Sequence, residues 1–517
     1  MEYLYHNFYE LIQKQAKSRS TKVAIFDGDS KIRYEEILYK ADKLAAYMHD
    51  RGIGRGDKVA LFLRNSPEFI YAIFAVSKLG AVLVPINIFL KGEELSYILE
   101  DSGSTLLIGS MVHQKVIEDS RADELCLLTI WEGEMEHTDV QNIPFLEAIS
   151  TTLDVGLVAS ALDDTAVIIY TSGTTGKPKG AMLSYKNIFS NANSGRQTIN
   201  VTHKDRSIVF LPMFHSFTFS IAVMLFLYTG GSMVIVRSVQ PFSNVFKQVL
   251  TKRVTIFFGI PDVYSVLAKA RLPWYFIWFN KIRAFISGAA ALQPKTLDAM
   301  AAKFKRSTLL EGYGLSEASP AVSMNTFDKQ KPKSVGTALP GYEIKIVDEA
   351  MAELPRGEVG DIITKGDNVM QGYLGRPEAT AESIVGGWLL TGDMGYMDED
   401  DFLYIVDRRK DLIISKGINI YPREIEEVVD LYDGVVASAA IGIIDERSGE
   451  IPIVYLELEE EMDTIDEVGL RKYLREHLAN YKVPKQIHII DELPKNATGK
   501  VLKRELKENL KQSSIAG

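Results

Sequence analysis

The stretch KVALFLRNSPEFIYAIFAVSKLGAVLVPIN, Lys58–Asn87, reads as a short apolar strand, a helix through PEFIYAIFAVSKLG and a second apolar strand. Strands that alternate with helices pair in parallel, because the chain must cross back over the sheet before the next strand begins. KVAIF and the amphipathic YEEILYKADKLAAYMHDRG precede this unit, and the same alternation resumes after Asp164 through SMVIV, VTIFFGI and IRAFISG to about Ser319. The expected fold class is therefore α/β, built on doubly wound parallel layers. From about Ser334 helices give way to short strands and glycine turns, VGTALPGYEIKIVD and GEVGDIITKG, predicting a small β-rich subdomain over about 334–406. Beyond DFLYIVDRRKD the pattern changes to YPREIEEVVDLY, VASAAIGII, IPIVYLELEE and EVGLRKYLREHLANY. This predicts a large N-terminal domain, 1–409, and a small α+β C-terminal domain, 410–517, with the charged run Asp407–Asp411 as the joint.

A chain of 517 residues is too long for one ordinary core, and 46% hydrophobic with 24% charged residues is an ordinary globular composition. A net charge of -10 argues against duplex nucleic acid as the main partner. The single cysteine, Cys126 in LCLLTI, excludes an internal disulfide, fits a reducing compartment and is expected at an inert strand position. The opening MEYLYHNFYELIQKQAKSRS alternates apolar and polar residues at helical spacing, so a cytoplasmic protein without a signal peptide is expected. FSIAVMLFLY, Phe219–Tyr228, is about half the length that crosses a bilayer and is expected as a buried helix.

YTSGTTGKPKG, Tyr170–Gly180, packs glycines, hydroxyls and two lysines behind the apolar AVIIY. Converging N–H and O–H donors with positive charge suit phosphate, and glycine lets backbone amides approach closely. A P-loop needs four residues between its glycines and Ser or Thr after its lysine. Here Gly173 and Gly176 are two residues apart and Pro178 follows Lys177, while GAMLSY reads as another strand. The stretch is thus expected as a loop joining two strands.

The loop resembles the phosphate-binding signature of the adenylate-forming superfamily, which includes acyl-CoA synthetases, coumarate-CoA ligases, luciferases and peptide-synthetase adenylation domains. Further signatures stand in that family's order: LPMFHSF at 211–217, ISGAAAL at 286–292, EGYGLSEASP at 311–320, WLLTGD at 388–393, DRRKDLIISKGINIYPREIEE at 407–427 and LPKNATGK at 493–500. The resemblance implies that a carboxylic acid is joined to AMP with loss of pyrophosphate and then passed to the thiol of CoA, with ATP and Mg²⁺ required. No catalytic triad is expected, because the substrate carboxylate is the first nucleophile and the protein mainly positions groups and stabilises charge.

By the same resemblance, Thr171, Ser172, Gly173, Thr174, Thr175, Gly176 and Lys177 hold the β- and γ-phosphates, with Thr174 among the catalytic groups. Ser316 and Glu317 are assigned to phosphate and Mg²⁺, a carboxylate paired with phosphate oxygens being suited to that hard ion. Tyr313 is expected to stack on adenine, with Glu311, Gly312 and Gly314 around the nucleotide, and Asp393 with Arg408 to hold the ribose. Lys500 is implied as the lysine that reaches the acyl and α-phosphate oxygens. His215 is placed between the acyl carboxyl and the CoA route, and Phe217, Phe219, Gly288 and Ala289 in the acyl wall. Lys410 matches a hinge, Lys416 and Gly417 match the loop that meets pantetheine, and Arg237 is a weaker candidate for the CoA phosphates.

The motifs look most like those of bacterial medium- to long-chain fatty-acid CoA ligases. An aromatic acid CoA ligase, an acyl-AMP ligase loading a carrier protein and a catalytically silent binding protein are the alternatives. The aromatic segment LPWYFIWFNKIR, Leu272–Arg283, is expected as a core or dimer-interface helix, with membrane contact as the lesser reading.

Overall fold

The computed structural model of the protein describes residues 3–135, 141–171, 177–288, 292–415, 418–445, 449–459, 462, 464–495 and 499–515. Two large sheets form the N-terminal part. The nine-stranded sheet runs, in order, Thr337–Ala338, Ala321–Met324, Thr308–Gly314, Ala284–Ser287, Ile256–Gly259, Arg206–Val209, Ser232–Ile235, Val23–Asp27 and Ser30–Arg33. Its six inner strands are parallel, and antiparallel strands close both edges. The eight-stranded sheet runs Gly372–Tyr373, Lys179–Ser184, Thr165–Thr171, Val82–Pro85, Lys58–Phe62, Ser104–Ser110, Leu128–Glu132 and Asn142–Pro144, parallel from the third strand on.

The period of two along a strand decides where the cores lie. Val59 and Leu61 enter a central core together with Ile25, Met233, Ile256 and Ile286 of the other sheet. The alternate residues turn away: Ala60 and Phe62 enter a private core under the eight-stranded sheet, and Phe26, Val234, Phe257 and Phe285 one under the nine-stranded sheet. Helices Tyr34–Asp50, Pro67–Lys78 and Tyr185–Thr198 bury apolar residues in the shared core. Helix Pro67–Lys78 starts where Ser66 Oγ accepts from the Phe69 amide and Pro67 occupies the first turn, where its missing N–H costs nothing. The FSIAVMLFLY segment is a buried helix as expected, π-wound over Thr218–Met224 and α-helical over Leu225–Thr229.

A five-stranded β unit follows, made of Tyr342–Val347, Gly360–Gly366, Ile384–Val385, Trp388–Met397 and Leu403–Arg408. The last sheet contains Ile413–Ser415, Ile418–Ile420, Val435–Asp445, Gly449–Leu458 and Gln486–Ile489. Helices Pro422–Val429 and Glu467–His477 cover it around a separate core that includes Ile413, Ile425, Val454, Leu470 and Leu474. Cys126 is buried, but two residues before a strand rather than within one, with its thiol donating to the Ser104 carbonyl at 3.5 Å. Burial pushes that thiol up to about 12, so it stays protonated. Among the described residues no helix is long and apolar enough to cross a membrane.

Of the core or dimer-interface expectation for Leu272–Arg283, the core part holds only for some residues: Phe276 and Ile282 enter the core under the nine-stranded sheet, while helix Trp274–Phe279 exposes Trp274, Tyr275, Trp278 and Phe279. The helix is six residues long with apolar residues on every side, so one face has to point outward.

Candidate active site

Parallel strands Ile256–Gly259, Ala284–Ser287 and Thr308–Gly314 end on one edge of the nine-stranded sheet, the edge where such sheets place ligands. Ser287 sits opposite Glu311 there, and the Ser287 hydroxyl is buried without a partner among the described residues. Glu311 is 6% exposed and accepts the Leu292 amide at 3.2 Å, and burial pushes its carboxyl up to about 7. A β-carbon on Gly314 would lie 1.8 Å from the Pro320 carbonyl oxygen, so only glycine allows the chain to fold back here. Gly312 lies one residue before Tyr313 on the same strand. Just after the turn, the Ser316 and Ser216 hydroxyls meet at 2.9 Å, which joins EGYGLSE to LPMFHSF.

YTSGTTGKPKG joins two antiparallel strands, Tyr170 facing Gly180 and Thr171 facing Lys179, as its spacing predicts. Ser172, Gly173, Thr174, Thr175 and Gly176 lie outside the described residues, as do Ala289, Lys416 and Gly417. The hairpin arms meet the carboxylate of Glu317, which accepts from the Tyr373 hydroxyl at 2.9 Å and from Thr171 Oγ1 at 3.4 Å. Lys179 stands over the Tyr373 ring and Lys177 over Tyr97. Among the described residues no three His, Cys, Asp or Glu side chains gather as a metal cage. One carboxylate beside a phosphate-type loop still fits Mg²⁺, which takes one or two carboxylates and completes its octahedron with phosphate oxygens and water.

Across the cleft, antiparallel pairing of Trp388–Met397 with Leu403–Arg408 sets Asp393 opposite Arg408. Tyr313 donates to Asp393 Oδ2 at 2.6 Å. Arg408 Nε lies 3.3 Å from Asp393 Oδ1 but is not aimed at it, so this buried N–H has no acceptor among the described residues. A buried donor left without an acceptor points to a ligand oxygen that it can bond. Lys500 reaches the same place from the last domain. Burial above all, with Arg408 and Lys410 adding to it and Asp393 and Asp411 opposing it, lowers its ammonium to about 8. The turn before it is left-handed at Gly499, φ +76, where a β-carbon would lie 2.9 Å from Ile260 Cδ1. Lys410 stands exposed in the short turn Arg409–Asp411 that leads into the last sheet.

His215 Nδ1 accepts the Phe217 amide at 3.3 Å, which leaves the ring hydrogen on Nε2. Burial lowers this imidazole to about 4, so it is neutral at pH 7. Phe217 is half-buried against Phe258, and a β-carbon on Gly288 would press on its ring at 3.2 Å. Phe219 does not share that wall: it is fully buried in the central core, its ring 6.4 Å from Phe8. Residues two apart on a helix point about 200° apart, so the pair is split between cleft and core. Arg237 is likewise not available to a phosphate, because Asp27 at 2.8 Å, Glu132 at 3.2 Å and Glu68 at 3.9 Å hold it.

A family model described as AMP-binding enzyme matches residues 12–374, and one described as AMP-binding enzyme C-terminal domain matches 424–500. The chain belongs to the AMP-binding enzyme family. This AMP-binding enzyme is 33% identical over 497 residues to a feruloyl-CoA synthase of an Amycolatopsis species, covering 96% of this chain and 97% of the relative. It is 32% identical over 534 residues to a long-chain-fatty-acid–CoA ligase of Salmonella typhimurium, covering 98% and 94%. The crystal structure of ATP-bound MatB from Rhodopseudomonas palustris superposes with a TM-score of 0.88 at 31% identity, covering 97% of this chain and 98% of that one.

Two neighbours within the candidate site are not legible in the motifs. Tyr373, in MQGYLGRP, is 56 positions from the carboxylate it donates to, and Ser216 is 100 positions from Ser316. The density of glycine around Tyr373 is the one local sign that the chain comes close to something there.

Proposed function

We propose that this chain is an AMP-forming acid–CoA ligase acting on a medium- to long-chain fatty acid. The observation that carries the reading is the convergence of Lys500, from the last domain, on the Asp393–Arg408 pair of the large one. In the first half-reaction a carboxylate oxygen of the acid attacks the α-phosphorus of ATP, the bond to the bridging oxygen breaks, and pyrophosphate leaves. Asp393 accepts from the ribose hydroxyls, the unpartnered Arg408 N–H supplies a donor beside them, and Tyr313 sets the carboxylate angle while its ring lies along the base. The hairpin at 171–177 and Ser316 hold the departing phosphates. Glu317 would hold Mg²⁺, which supplies charge neutralisation on pyrophosphate. Lys500 donates to the oxygens that gain charge in the transition state.

In the second half-reaction the CoA sulphur attacks the acyl carbonyl and AMP leaves with the electron pair. Neutral His215 lines that approach without adding a charge. Lys410 lies at the joint between 1–409 and 410–517, and rotation about it would withdraw Lys500 and present Lys416 and Gly417 to pantetheine. Support for a fatty acid comes from the motif resemblance and the fatty-acid ligase relative. The similarity to a feruloyl-CoA synthase favours an aromatic acid as the second reading.

Pyrophosphate release measured over acids from acetic to stearic, and over ferulic, benzoic and succinylbenzoic acids, with and without CoA, tests both. Turnover strongest on acids of eight carbons or more, with acyl-CoA formed, is the expected result. Preference for an aromatic acid moves the assignment to the second reading, and silence on every acid removes both.

A further inference from the structure

The exposed helix Trp274–Phe279 is the least explained surface of the molecule. Trp274 is 70% exposed, Trp278 68% and Phe279 62%, with Tyr275 and Val266 half open beside them. Large exposed aromatic patches are uncommon on soluble proteins and mark contact surfaces. The turn is rigidly built: Arg306 donates to the Ile277 carbonyl at 2.9 Å, and Lys303 to the carbonyls of Leu267 and Ala270 at 2.8 Å each. Phe276 anchors it from below, its ring 5.2 Å from Phe246.

Charge indicates what meets this surface. Residues 243–306 carry eleven lysines and arginines against two aspartates, in a chain whose net charge is -10. Lys269, Arg271, Lys281 and Lys305 border the helix, are exposed, and form no ion pair with a carboxylate among the described residues. Tryptophan and tyrosine between basic residues is the composition that settles at the headgroup level of an anionic bilayer. A second copy fits less well, since a two-fold contact would press this basic face against itself. Single-stranded nucleic acid fits less well too, because four rings within one six-residue helix span about 9 Å and cannot follow successive bases.

We propose that helix Trp274–Phe279 and its basic border form a docking face for anionic lipid bilayers. Helix Pro261–Lys269 connects this face to the site: its first end adjoins Ile260, which touches the Gly499 turn, and its nine residues span about 13 Å. The inference does not depend on which acid is the substrate.

The test uses the full chain without acid or ATP, floated with vesicles of phosphatidylcholine alone or mixed with phosphatidylglycerol. Co-flotation only with the anionic vesicles, lost at high salt, is expected, together with quenching of tryptophan fluorescence by brominated acyl chains. Trp274→Ser with Trp278→Ser should abolish the quenching. Lys269→Glu with Arg271→Glu and Lys281→Glu should weaken partitioning by about a hundredfold or more, and both variants should keep the pyrophosphate release of the parent in solution. Absence of flotation at low salt overturns the proposal, as does flotation that survives both sets of substitutions. Dimerisation in sedimentation velocity that these variants abolish, or displacement from vesicles by an oligonucleotide, would assign the face to another partner and also overturns it. Because flotation is read without turnover, its failure leaves the ligase reading intact, and a silent acid panel leaves the docking face intact.

Discussion

The candidate site has two halves that are held in different ways. The half on the large domain stands on strand ends: Glu311 is buried under the Leu292 amide, Tyr313 is bonded to Asp393, and Asp393 faces Arg408 across a ladder. The half that carries Lys500 reaches the cleft on a turn and is tied to the large domain through polar contacts at the seam. Those ties are Gln293 to Asp430 at 3.0 Å, Lys333 to Glu427 at 3.3 Å, the Arg423 amide to Asp407 at 2.8 Å and Lys495 near Asp262 at 3.9 Å. The two ion pairs among them, from Lys333 and Lys495, contribute little each. The first half is fixed by strand ladders and buried bonds, and the second by a few polar contacts.

The largest effect should come from the half that carries Lys500. Lys500→Ala is expected to slow acyl-AMP formation by roughly a hundredfold to a thousandfold, while leaving thioester formation from supplied acyl-AMP near the parent rate. Rapid-quench measurement of each half-reaction checks this, and equal losses in both would mean that Lys500 is structural. In the fixed half, Tyr313→Phe removes a hydrogen bond to a charged group and should raise KM for ATP about tenfold to a hundredfold, with kcat changing less. A change confined to kcat would place Tyr313 outside nucleotide binding.

Acidity sharpens the contrast. A lysine whose proton is lost near pH 8 in the free enzyme makes kcat/KM for acyl-AMP formation fall about tenfold per pH unit above that point. The residual activity of Lys500→Ala should lack this limb, and an unchanged profile there would assign the descent to another group. The smallest effect belongs to the seam. Burial beside Glu426 pushes Asp430 up to about 6, while the bond it accepts from Gln293 across the seam favours its charged form. Asp430→Asn weakens that tie and should therefore slow acyl-AMP formation at pH 7 by about threefold, under 1 kcal/mol, with thioester formation from supplied acyl-AMP not slowed. Slower thioester formation with adenylation unchanged in that variant would reverse the sign and break the assignment of the seam.

The sequence exposed what is carried by neighbours along the chain. The strand–helix alternation, the hairpin reading of YTSGTTGKPKG and the order of the motifs are short-range patterns, and the first two depend only on spacing and on Pro178. Pairings decided by tertiary distance were hidden. Nothing near Arg237 indicates that Asp27 and Glu132, 210 and 105 positions away, hold it. Phe217 and Phe219 look alike in sequence, and only the helical turn between them sends one to the cleft and the other to the core. The aromatic helix was legible only in part: its composition is that of a buried segment, but of the four large aromatic neighbours around Phe276 none is buried, and only Phe276 of the helix is fully covered.

The alternation of residues along the strands of both large sheets has a consequence for cooperativity. Val59 and Ile25 belong to different sheets and to one core, so neither sheet can be released without opening the other. The two sheets therefore form a single melting unit, and a chain cut between them would not yield two foldable pieces. The last domain, with Ile425, Val454 and Leu474 in a core of its own, is free to melt apart from them.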